Sequence, residues 1–162
     1  MKLMKTGILF FIAACLMLSA CSDSAKPTLA TETIFEAKGL HVITSNFNKK
    51  RGTMSTLYGN EAALEAARDG SGQHVPGEVF TLVTWAQEAN PFWFGGNING
   101  ARQTVETVRV SPADKDNVRA DYEVETDGEN VLEKVNFDKQ ERINFIFDQK
   151  ASVFPSVKAN AL

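Results

Sequence analysis

The sequence predicts an α+β domain: an antiparallel β-sheet with two helices packed on it, a single domain behind an N-terminal leader. Three observations predict it. Short segments rich in Val, Ile, Thr and aromatics, several with period-two alternation, recur between residues 40 and 125. Helical patterns occur twice, after Asn60 and after Asp138. The 162 residues, 43% hydrophobic and 23% charged, suit one ordinary globular core and show neither repeat nor low-complexity tract.

The chain opens with MKLMKT, a short basic segment, followed by GILFFIAACLML over residues 7–18. Roughly 18 to 20 apolar residues are needed to cross a bilayer, so this run has signal-peptide length rather than that of a lasting membrane helix. It ends in Leu18-Ser19-Ala20-Cys21, which resembles the lipobox of bacterial lipoprotein precursors. The resemblance implies a signal peptide over 1–20 and a thiol at Cys21 that accepts diacylglycerol and becomes the first residue of the mature protein. Acyl chains such as palmitate then hold the protein on a membrane, each buried methylene contributing about 0.8 kcal/mol. Ser22 stands where inner-membrane retention needs Asp, so the sorting rule of enteric bacteria implies the periplasmic face of the outer membrane. Residues 21–36 are expected to form the lipidated N-terminus and a tether, the stretch SDSAKPTLATE being small and polar.

The cysteines are two, Cys15 in the leader and Cys21. The mature domain therefore has no disulfide and no Cys-based metal site to rely on. Loss of Lys2 and Lys5 with the leader leaves 15 basic against 20 acidic residues, a poor balance for nucleic-acid binding.

Residues 40–47, LHVITSNF, read as a strand, Asn48 to Gly52 as a basic turn, and 53–58, TMSTLY, as its hairpin partner. Gly59-Asn60 stops the strand, and Asn60 is a good N-cap for EAALEAAR, with acid early, base late, and Leu64 and Ala67 facing the core. Residues 69–77 form a loop. Residues 78–87, EVFTLVTWAQ, are apolar on both faces and read as the central strand. Residues 88–102 read as a loop rich in Gly, Asn and aromatics, 103–110 as a strand, and Val118–Glu125 as another. From Asp138 to Val153 the pattern is helical, with Ile143, Ile146, Phe147 and Lys150 at helical spacing and Pro155 ending it.

Chemistry-bearing motifs are sparse. His41 on a strand and His74 in a loop are the only histidines; no Gly-x-Ser-x-Gly elbow frames a serine, and no glycine-rich loop opens a helix. The unusual feature is Phe92-Trp93-Phe94 in a loop. Loops are normally polar, so three aromatics imply either a lid packed on the core or the wall of a ligand pocket. A short connection from the central strand would fold this loop back over the sheet end and leave Trp93 largely buried.

Three segments together resemble the cytochrome P-460 family in its broad sense. They are Arg51-Gly52-Thr53-Met54-Ser55-Thr56-Leu57-Tyr58-Gly59-Asn60 with its Ala-rich helix, Glu78 to Gln87, and Trp93-Phe94-Gly95-Gly96 followed by Gln103-Thr104-Val105-Glu106. The likeness spans roughly residues 40–155 and implies a cytochrome P-460-like domain over 37–156, with 157–162 as a C-terminal tail. The best-known members are periplasmic haem enzymes that oxidise hydroxylamine, their haem fixed by Cys-x-x-Cys-His and tied to a lysine. This chain has no Cys after Cys21, so thioether attachment of haem is impossible, and it has no Lys between Lys50 and Lys115, so the segment holding the central strand and aromatic loop offers no cross-linking lysine.

Three functions are compatible with this sequence. The first is a binding or accessory module holding a small apolar or planar ligand near Trp85, Phe92, Trp93 and Phe94. The second is a redox enzyme with noncovalent haem ligated by His41 or His74. The third is a structural envelope protein with no ligand at all; the partners expected are the membrane through the lipid anchor and a small ligand or another envelope protein.

Overall fold

A computed structural model describes residues 35–114, 117–127 and 138–152. The expected signal peptide, Cys21, the expected tether up to residue 34, Pro155 and the expected C-terminal tail lie outside the described residues, while Phe35 at the end of that tether packs on Tyr58. The observed order is β1 (His41–Asn48), β2 (Thr53–Gly59), α1 (Glu61–Asp69), β3 (Val79–Ala89), β4 (Asn97–Pro112), β5 (Val118–Thr126) and α2 (Lys139–Phe147). The strands form one antiparallel sheet in the order β1-β2-β3-β4-β5, each pairing with its sequence neighbour. This is the expected α+β architecture, with the Trp85 strand in the middle. Among the described residues no helix is long and apolar enough to cross a membrane.

Both helices lie on one face of the sheet. Ala63, Leu64 and Ala67 of α1 and Ile143 and Ile146 of α2 pack with Ile43, Leu57, Phe80, Leu82 and Val108. The opposite face is a smaller cluster of Val83, Trp85 and Val105, against which Phe35 and Tyr58 pack. Strand β3 is thus buried from both sides, as its lack of a polar face requires.

One residue joins the end of β2 to the start of the next two elements. The Asn60 side-chain oxygen accepts from Ala63 N (3.1 Å), which caps α1, and from Val79 N (3.2 Å) at the start of β3. Its amide nitrogen donates to the Gly77 carbonyl at 2.8 Å. At the other end of α1, Gly70 takes the left-handed conformation (φ +62) and donates to Ala66 O, a common helix stop.

Two boundaries differ from the sequence reading. Strand β4 begins at Asn97, so the expected loop over 88–102 shrinks to the hairpin connection Asn90–Gly96. Gln87, Glu88 and Ala89 pair with Asn99, Ile98 and Asn97, because ladder hydrogen bonds form regardless of the Gly and Asn that weaken strand propensity there. Helix α2 ends at Phe147 rather than Val153, and Lys150 is not part of it. After Asp148 the chain leaves the helix: Ala151 N donates to Ala67 O (3.1 Å) and Ser152 N to Ile43 O (2.8 Å). Those bonds satisfy the end of α1 and the edge of β1, an outcome that local helical periodicity does not encode.

Gly59 sits where β2, β1 and α1 converge. A Cβ there would lie 2.6 Å from Ile43 Cδ1 and 2.8 Å from Ala63 Cβ. The requirement is for space, since this glycine has no positive φ. Gly59→Ala is expected to lower stability by about 1–3 kcal/mol through overpacking, read as a lower denaturant midpoint with an unchanged slope.

Candidate functional site

The inward-facing positions of β4 read Thr104, Glu106, Val108 and Val110, and all four are buried. Glu106, at 1% exposure, is a carboxylate on an otherwise largely apolar register. Desolvating an unpaired charge is prohibitive, so its partners come from two other elements. Arg142 of α2 donates to it through two of its three guanidinium nitrogens, Nε to Oε2 at 2.8 Å and Nη2 to Oε1 at 2.6 Å. The hydroxyl of Tyr122 on β5 donates to Oε2 at 2.8 Å. Burial lowers the affinity of Arg142 for its proton, but the Glu106 hydrogen bonds and charge outweigh this and hold the guanidinium above its ordinary range. Burial, reinforced by the Glu106 charge, likewise pushes the Tyr122 phenol well up.

Arg142 also forms part of the wall of a groove of about 300 Å³ between α2 and the β1–β2–β3 surface. Its guanidinium carbon lies 4.9 Å from the centre of the Phe145 ring. The floor and opposite wall carry Ser55, Thr84 and Arg51. Asn46 donates to Gln149 Oε1 at 2.9 Å, and Gln149 donates to the Phe145 carbonyl at 2.9 Å, which fixes the amides at the rim. Hydroxyl, amide and guanidinium groups therefore face one cavity whose apolar parts are Phe47, Leu82 and Phe145. Such a groove suits a small ligand with one apolar face and several acceptor oxygens.

The residues singled out in the sequence do not assemble into this site. Trp85 is 2% exposed and belongs to the core on the helix-free face. The expected burial of the aromatic loop is overturned: Phe92, Trp93 and Phe94 are 65%, 75% and 104% exposed. The reason is the shorter connection. The hairpin runs on from β3 into β4 and closes on itself, with Asn90 N donating to Gly96 O (2.9 Å), Gly96 N to Trp93 O (3.0 Å) and Phe92 N to Asn90 Oδ1 (2.9 Å). A loop satisfied internally does not need to fold back on the sheet.

The histidines are apart from the groove lining. His41, at the start of β1, meets Glu61 at 3.1 Å on the surface. His74 stacks on Phe147 (centroids 3.7 Å apart), and its Nδ1 lies 2.6 Å from the buried Glu78 Oε2. Glu78 Oε1 accepts from Val75 N at 2.9 Å, so the carboxylate pins the loop before β3. Among the described residues no group of three His, Cys, Asp or Glu side chains stands close enough to hold a metal.

Sequence reading missed Glu106, Arg142 and Tyr122. The signal was present in β4: a charged residue in phase with Thr104, Val108 and Val110 demands a buried partner, and Arg142 adjoins the core residue Ile143.

The raised phenol of Tyr122 has a consequence for alkaline stability. Above its ordinary value of 10.0 the unfolded chain loses a proton that the folded chain keeps. The corresponding stability is fully present below about pH 10 and lost as pH rises through the folded value. Tyr122→Phe should cost about 1.5–3 kcal/mol at neutral pH, as for a hydrogen bond to a charged group, and should flatten the alkaline fall. Denaturant midpoints measured from pH 7 upward check both.

Comparison with protein-family models and with curated proteins finds no match to this chain, so its functional reading rests on the chemistry of the groove and of the sequence itself.

Proposed function

We propose that this chain is an outer-membrane lipoprotein, anchored through Cys21 on the periplasmic side, whose domain binds a small acidic, partly apolar molecule in the groove beneath α2. The lipobox resemblance at Leu18–Cys21 and the tether-like composition after it support the anchor. The observation that carries the ligand is the placement of Arg142 and Arg51 on the same groove as Ser55, Thr84, Asn46 and Gln149. Arg142 is oriented by Glu106, so its charge is largely balanced, and Arg51 supplies the uncompensated positive charge. A single carboxylate on a ring-sized molecule matches both that charge and the Phe47 and Phe145 edges.

This reading retains a cytochrome P-460-like domain without covalent haem and moves the ligand from the Trp93 loop to the groove. It is that of a binding or accessory module rather than an enzyme.

Two experiments test it. Labelled palmitate should enter the wild-type protein, and Cys21→Ala should abolish both labelling and membrane retention; a Cys21→Ala chain that still sediments with membranes refutes the anchor. Benzoate, used as a probe in nuclear magnetic resonance titrations, should shift the backbone amides of Ser55, Thr84 and Gln149. Arg51→Ala should weaken its binding about tenfold or more, the equivalent of one charge-assisted hydrogen bond of about 1.5–3 kcal/mol. Benzoate shifts that ignore these residues refute the groove, and a Soret band in the purified protein would favour the noncovalent-haem enzyme instead.

A further inference from the structure

The end of the sheet away from the Asn60 junction combines two exposed features. The first is the β3–β4 tip, where Phe92 and Trp93 are largely and Phe94 fully exposed to water. Monomeric surfaces seldom display three consecutive bulky aromatics, and this loop does not need them for its own closure, since its backbone and Asn90 supply that. The second is the β1–β2 turn, where Lys49, Lys50 and Arg51 are consecutive and exposed. None of these three cations takes part in an ion pair among the described residues.

The two features are neighbours. Strand β2 pairs with β3 from Thr53 opposite Ala86, and Gln87 N donates to the Gly52 carbonyl at 2.8 Å. The basic turn therefore lies alongside the last residues of β3, and the aromatic tip projects a few residues beyond it. Phe47, also largely exposed, adjoins the turn. Two acidic groups lie nearby, an exposed Glu88 and a paired Asp127. Glu88 lies against Gly100 on the neighbouring strand, and Asp127 is hydrogen-bonded by Arg102.

Aromatic rings at a tip with lysines and arginines set slightly behind them match the layering of a bilayer surface. Rings enter the boundary between headgroups and acyl chains, while cations meet anionic headgroups a few ångströms further out. We propose that this end of the sheet is a bilayer-docking surface: Phe92, Trp93 and Phe94 enter the interface and Lys49, Lys50 and Arg51 bind the anionic lipid above it. The cations favour a lipid surface over an apolar protein patch, because a protein partner would have to cover both a protruding aromatic tip and an offset basic turn.

The surface shares Arg51 with the groove but rests on the aromatic tip and on Lys49 and Lys50, which do not line it, and it is compatible with an anchor at Cys21. Phe35 packs on Tyr58, which pairs with Thr81, nine residues before Asn90. That is roughly 30 Å at about 3.3 Å per strand residue. Residues 21–34 span at most roughly 46 Å at about 3.3 Å each, enough for lipid and loop to reach one membrane.

The chain has two tryptophans, Trp85 in the core and Trp93 on the tip, so it carries its own reporter and its own internal reference. The experiment uses the full chain with vesicles of phosphatidylcholine, alone or with 30% phosphatidylglycerol, containing lipids brominated near the headgroup end of the acyl chain. With phosphatidylglycerol, emission should shift to the blue and be quenched by bromine, and Trp93→Phe should remove the quenched component. Lys49→Glu/Lys50→Glu should reduce quenching at least severalfold, as should Phe92→Ser/Phe94→Ser, while the unfolding midpoint of each variant stays near that of the wild type. Unquenched, water-like Trp93 emission on both vesicle types overturns the proposal. So does a blue shift that needs no lipid and grows with protein concentration, which would assign the tip to self-association. Loss of palmitate labelling in Cys21→Ala with Trp93 quenching retained would separate the docking surface from the anchor.

Discussion

The buried carboxylate of Glu106 is the constraint from which much of the molecule's arrangement follows. A charge on the helix-covered face of β4 has no water to solvate it and must be met by protein donors. Arg142 arrives from α2 and Tyr122 from β5, each at hydrogen-bond distance. Removing one partner of such a pair typically costs about 3–5 kcal/mol, against a total stability of about 5–15 kcal/mol for a domain of this kind. The pair thus sets the position of α2 on the sheet more specifically than the contacts of Ile143 and Ile146, which are non-directional. It also orients a guanidinium along the groove wall, where an arginine without a partner would be free to turn toward solvent.

The sheet has one closed end and one open end. At the closed end, Asn60 ties β2, α1, the preceding loop of β3 and β3 itself together, and Glu78 and His74 pin the same loop beneath Phe147. The histidine here contributes a stacked ring and a hydrogen bond in the packing of the fold. At the open end no comparable junction forms among the described residues. There the groove, the basic turn and the aromatic tip occur within a few residues of one another, and Arg51 belongs both to the groove and to the turn. The separation is physically sensible: rigid hydrogen-bonded junctions at one end leave short hairpin connections at the other to carry exposed chemistry.

The two proposed surfaces use different physics. The groove relies on hydrogen bonds between fixed amides, hydroxyls and guanidinium groups, with aromatic edges limiting the shape of what enters. The tip relies on desolvation of rings that have no cover in the folded chain, with a charged turn adding long-range attraction. Salt acts on both through the exposed Arg51, and more strongly on the second, whose three consecutive cations are all solvent-exposed and screened over a Debye length of roughly 8–10 Å at physiological ionic strength.

The order of strands and helices was legible in the sequence because each element is specified locally. The alternation of residues 53–58, the two-sided apolarity of 79–85 and the Asn60 cap need no knowledge of distant residues. The proposed leader and the lipobox-like Leu18–Cys21 likewise rest on a local pattern of sequence, without reference to the fold. The start of β4 at Asn97 was not legible, since pairing to residues 87–89 overrides the Gly and Asn content of that stretch. Neither was the end of α2, where the edge of β1 and the end of α1 draw residues 151 and 152 away from the helix. The site was the least legible part. Glu106 and Arg142 are 36 positions apart, and only packing α2 against the sheet brings them together. The fate of Phe92, Trp93 and Phe94 turned on the same kind of fact: composition marked them as unusual, but the length and direction of the hairpin, which are properties of strand pairing, decided that they face water rather than the core.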